Sequence, residues 1–121
     1  MKVDKRIFKF WFPVFLYSGI IFWASSQPPG GPLPWPFADK FLHLIEYSIL
    51  GFLTARALHG SQCGMVAARI VLYAFLFSFL YGFSDEWHQS FVPGRQVEIG
   101  DLLADGIGGL LGGMIFFRGP H

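Results

Sequence analysis

The chain has 121 residues, of which 53% are hydrophobic and 14% charged, with fifteen Phe, four Trp and a formal net charge of +1. A soluble domain carries about 25% charged residues, so this chain lacks the polar surface of a water-facing globule, and its length allows one domain. The near-neutral charge offers no basic patch for nucleic acid, and the lone Cys63 excludes an internal disulfide and any multi-cysteine metal site.

Lys2, Lys5, Arg6 and Lys9 precede the first apolar run, over residues 7–25. The layout is that of a secretory signal, and Ala24-Ser25-Ser26 weakly resembles a cleavage site. The run is long and aromatic for a signal core, so an uncleaved membrane anchor is expected. Pro13 kinks such a helix without excluding it, because lipid-embedded helices tolerate proline. Gln27 to Pro36 is rich in Pro and Gly and reads as an extended loop with an interfacial Trp35.

Further apolar stretches cover residues 39–58, 66–88 and 101–117, separated by a short turn at 60–64 and a turn at Val92-Pro93-Gly94-Arg95. A helix needs about 17–25 residues to cross roughly 30 Å of hydrocarbon. All four stretches qualify with their flanks, the fourth being the shortest and suited to little tilt or a thinned bilayer. The expectation is an all-α integral membrane four-helix bundle, a single transmembrane domain over 1–121.

Orientation follows from the cations. Lys2, Lys5, Arg6, Lys9, Arg56, Arg69 and Arg118, seven of nine, fall on one side, and only Lys40 and Arg95 on the other. The positive-inside rule then makes the N- and C-termini cytoplasmic. Of the acids, Asp39, Glu46, Asp85, Glu86, Glu98, Asp101 and Asp105 fall on the extracytoplasmic half, with His43 and His88. At 100° per residue the second span gathers Asp39, His43, Glu46 and Tyr47 within an arc of roughly 100°. The third aligns Tyr81, Ser84, Asp85, His88 and Gln89, with Glu86 pointing elsewhere; the fourth aligns Asp101, Asp105, Gly108 and Gly112. Charges in a span cost at least ~2.5–3.5 kcal/mol each, so these stripes are expected to face one another around a polar cavity. Bland readings compete: Asp39 and Asp101 at helix starts act as caps, Glu46 and Asp105 lie too deep to cap but suit a structural ion pair, and both histidines pack. Gly108, Gly109, Gly112 and Gly113 form small-xxx-small pairs for close helix approach.

Several blocks resemble the VanZ-like family, named for an accessory protein of glycopeptide-antibiotic resistance. They are Ser25-Ser26-Gln27-Pro28, the run Asp39-Lys40-x-x-His43-x-x-x-Tyr47-x-x-Leu50-Gly51, and Ser84-Asp85-Glu86-x-His88-Gln89. Phe91-Val92-Pro93-Gly94-Arg95 and Asp101-x-x-x-Asp105-x-x-Gly108 complete them in order. The chain departs at Asp105, where the family usually has Asn. The resemblance implies a small multi-span protein of the bacterial cytoplasmic (inner) membrane. It links the chain to tolerance of lipid-bearing glycopeptides such as teicoplanin, with membrane lipids, lipid-linked envelope intermediates or lipoglycopeptides as partners.

Three chemistries fit the residues. An enzyme at the outer leaflet would use His43 or His88 as general base, oriented by Asp85, Glu46 or Asp105, with Arg95 holding an anionic group. Asp39, Lys40, Tyr47, Ser84, Glu86, Gln89 and Asp101 would line its substrate site. A metal-dependent hydrolase or transferase would use His43-x-x-Glu46 and Asp85-x-x-His88, completed by Asp105, as a mixed N/O set for a divalent zinc, manganese or iron ion. A non-enzymatic module would bind a lipid head group or a membrane partner in the same bowl. A transporter is disfavoured, since no polar path continues to the inner side.

Overall fold

The computed structural model describes residues 5–27, 38–61, 64–94 and 98–119. These form four helices: α1 (Lys5–Ser25), α2 (Ala38–Ser61), α3 (Ala67–Gln89) and α4 (Ile99–Arg118). No strand occurs among the described residues. All four are long and apolar enough to cross a membrane. The fourth extends past both ends of its apolar stretch to 20 residues, which at about 1.5 Å per residue reaches ~30 Å. Pro13 lies inside α1.

What faces outward is apolar. Phe15 is 68% exposed, Trp87 66% and Ile99 78%, a surface that fits hydrocarbon and would be unfavourable in water. The interior combines apolar side chains such as Val14, Leu50, Ile70 and Phe116 with small and polar groups. α4 packs most extensively against α2 and next against α3, while α1 lies on α2 and touches α3 lightly.

Glycine explains why α4 sits centrally. A Cβ on Gly108 would fall 2.6 Å from the Leu44 carbonyl oxygen, and one on Gly112 would fall 2.7 Å from the Phe52 nitrogen, both on α2. One residue further round, Gly113 lies against Ala74 and Val71 of α3, and Gly109 against Ser78 of α3. The two small-xxx-small pairs therefore serve two different neighbours. Gly51 of α2 returns the approach, its notional Cβ meeting the Gly109 Cα at 2.7 Å. Backbones this close gain dispersion contacts along their length, the main source of helix adhesion in lipid.

The described side-chain contacts fix which helix ends lie together. Trp11 Nε1 donates to Ser61 Oγ at 3.0 Å, and His59 packs edge-on against Phe117. The ends of α1 and α2 that carry Arg6, Lys9 and Arg56 thus lie beside the end of α4 at Arg118. At the opposite ends lie the polar contacts described next. Asp4, Trp35, Cys63 and Arg95 lie outside the described residues.

Candidate functional site

Two polar clusters form at the end of the bundle where α1 and α3 finish and α2 and α4 begin. The first joins α2, α3 and α4. His43 is half-buried on α2, and its Nδ1–H donates to Asp105 Oδ1 of α4 at 2.8 Å. An ionised carboxylate carries no proton, so the ring nitrogen must be the donor. On its other edge, His43 Nε2 lies 3.9 Å from Asp39 Oδ1. Glu86 of α3 completes the cluster: it, His43 and Asp105 each offer a ligand atom within 4.8 Å of the other two.

The burial of these acids is the unusual feature. Glu86 is 4% exposed, Asp101 3% and Asp105 0%. Both Glu86 carboxylate oxygens, Asp101 Oδ1 and Asp105 Oδ2 have no hydrogen-bond partner among the described residues. Buried native polar groups are nearly all bonded, so several orphaned oxygens in one place need a reason. Lys40 offers partial relief at the rim, with Nζ 2.6 Å from Glu98 Oε2 and 3.6 Å from Asp101 Oδ1.

The second cluster joins α1 to α3. Ser25 Oγ lies 2.5 Å from Asp85 Oδ1, to which it donates. His88 has Nδ1 3.5 Å from Ser25 Oγ and Nε2 3.4 Å from Ser26 Oγ, and stacks on Phe22 with centroids 4.2 Å apart. Asp85 and His88 thus fasten the end of α1.

The polar stripes expected around one cavity form two clusters instead. His43, Asp101 and Asp105 do meet, with Asp39 at the rim. Glu46 is half-buried towards α1, where its backbone carbonyl accepts the Tyr17 hydroxyl at 2.9 Å. Tyr47 is fully buried between His43 and Tyr81. Gln89 is buried, and Ser84 is exposed.

The expected orientation of Glu86 is corrected. The buried stripe of α3 runs through Ala74, Ser78, Gly82, Glu86 and Gln89, with Asp85 beside it. Glu86 therefore faces inward, and Ser84 does not. The reason is the small residues at 74, 78 and 82, which let α4 lean on that face; a Cβ on Gly82 would meet the Asp105 Cβ at 2.8 Å. That spacing was legible in the sequence, but the polar residues outweighed it. Ser25 and Ser26 stood in a block of the family resemblance, but only the docking of α1 brings them to Asp85 and His88.

Beside the first cluster a lateral cavity of about 300 Å³ opens between α3 and α4, lined by Phe83, Glu86, Trp87, Ser90, Ile99 and Leu102, with Glu98 at its edge. One wall is thus an acid of the cluster and the rest is largely apolar.

A family model described as VanZ/LLP1 matches residues 3–118. No curated protein and no solved structure matches the chain.

Proposed function

The chain belongs to the VanZ-like family, and from that premise we propose that it binds the polar head of a lipid-borne molecule at the extracytoplasmic end of α2, α3 and α4. The molecule is a lipid-linked envelope intermediate or a lipoglycopeptide, and the membrane is the bacterial cytoplasmic one. The observation that carries this reading is the junction of a buried, under-satisfied polar cluster with an apolar opening at Glu86. Ionisable groups at membrane depth are expensive and mark functional sites by default. Here they sit where a ligand can enter sideways from the bilayer, its tail along Phe83, Trp87 and Leu102.

The charge pattern supports the placement. Lys5, Arg6, Lys9, Arg56, Arg69 and Arg118 all lie away from the cluster, which supports an outside position for it by the positive-inside rule.

The test is binding to full-length protein in nanodiscs, probed with a polyprenyl-diphosphate-linked sugar and with teicoplanin beside its deacylated form. Retention of an acylated probe above bare nanodiscs, reduced by Trp87→Ala or Leu102→Gln, is expected. Equal retention by bare nanodiscs for every probe contradicts the proposal.

A further inference from the structure

We infer that the carboxylates of Glu86 and Asp105 and the imidazole of His43 hold one divalent cation between α2, α3 and α4. Each ligand comes from a different helix, and one donor atom of each lies within 4.8 Å of the other two. Donors bound at ~2.0–2.2 Å to one tetrahedral or octahedral ion stand roughly 3–4 Å apart. Closure needs only small side-chain rotations.

Two observations beyond the clustering point to an ion. Glu86 and Asp105 are 4% and 0% exposed, and three of their four carboxylate oxygens have no hydrogen-bond partner among the described residues. A buried charge without a partner is strongly unfavourable, whereas coordination satisfies charge and lone pairs together. The local balance makes the same demand. Asp39, Glu86, Asp101 and Asp105 surround His43, and the nearby ammonium of Lys40 is drawn to Glu98 at 2.6 Å. One imidazole cannot offset that negative charge, whereas a dication would balance the two carboxylates that bind it, Glu86 and Asp105.

Asp39, His43 and Asp101 form an alternative triad. It is the weaker one, because Asp39 is exposed and Asp101 already has Lys40 3.6 Å away. The inner donor set is one nitrogen and two carboxylates, with no thiolate. It suits Mn²⁺, Zn²⁺ or Fe²⁺ and disfavours Cu⁺. Three protein donors leave coordination positions for an outside oxygen, and Glu86 borders the α3–α4 opening through which one would arrive. The ion would also let this acidic cluster hold an anionic head such as a diphosphate. Cation binding itself stands without that head-group reading.

The experiment uses detergent-purified full-length chain, stripped with EDTA and equilibrated with Mn²⁺. Wild type is expected to retain about one Mn²⁺ per chain. Glu86→Gln and Asp105→Asn should bind it at least about tenfold more weakly. Asp85→Asn, one residue away but facing Ser25, should bind like wild type. Helical circular dichroism and monodisperse elution establish that each variant is folded. Electron spin echo spectra of the wild-type Mn²⁺ form should show nitrogen coupling from His43, a readout that needs no variant to fold. Wild type that retains neither Mn²⁺ nor Zn²⁺ overturns the inference. So does bound Mn²⁺ without nitrogen coupling, or equal loss in Asp85→Asn and Glu86→Gln. The probe is the metal alone, so a negative result here leaves the nanodisc binding outcome independent.

Discussion

An ionised carboxylate enclosed without a partner is among the least favourable groups a helix bundle can carry. Glu86 has both oxygens buried without a hydrogen-bond partner among the described residues, whereas Asp85, the preceding residue, has a serine hydroxyl 2.5 Å away. Adjacent acids therefore respond oppositely to neutralisation. In EDTA-treated protein, Glu86→Gln is expected to stabilise the fold by about 1–3 kcal/mol, because the amide brings no charge to bury and offers donors to Asp105 Oδ2. Asp85→Asn should destabilise it by about 1 kcal/mol, since Ser25 loses a charged acceptor. Thermal melts followed by tryptophan fluorescence decide this, and shifts of the same sign contradict the account. Stability gained at Glu86 with ligand binding lost is the pattern of a residue kept for function.

Within α4, alternate faces of one glycine run grip two neighbours. Gly112→Leu should therefore abolish folded protein, since a side chain there meets the backbone of Ser48 and Phe52. Gly19→Ala in α1 should be tolerated or mildly stabilising, because no atom lies within 4 Å of its notional Cβ. The yield of monodisperse protein after solubilisation separates the two. Comparable losses would mean that α4 is not the centre of the bundle. The four helices were legible because apolar runs of spanning length leave little choice. The glycine pairs of α4 were legible too, though not their division between α2 and α3. The inner face of α3 was not. Asp85 and Glu86 are 100° apart on a helix with neighbours on both sides, and only docking tells which acid meets α4 and which meets α1. The small residues Ala74, Ser78 and Gly82 were the better guide to Glu86, because in lipid close approach decides which faces pack.

Across the whole molecule, charge and packing divide the ends: Lys5, Arg6, Lys9, Arg56, Arg69 and Arg118 collect at one, and the two polar clusters, with Lys40 at the rim, at the other. On the proposed reading, which the positive-inside rule favours, the polar end is extracytoplasmic. In a Cys63→Ala background, Ser90→Cys should react with an impermeant maleimide in intact cells, and Arg118→Cys only after lysis. The reverse pattern would place the site in the cytoplasm. The proposed reading also divides the roles of the two clusters, with Asp105–His43–Glu86 as the site and Ser25–Asp85–His88 as the fastening of α1. The most direct test of that division compares His43→Gln with His88→Gln in nanodiscs, measuring bound acylated probe per folded chain. The account predicts that His43→Gln folds like wild type and loses binding, while His88→Gln melts at lower temperature yet binds normally once folded. If both variants lose binding only in proportion to lost folded protein, His43 is structural and the proposed site does not exist.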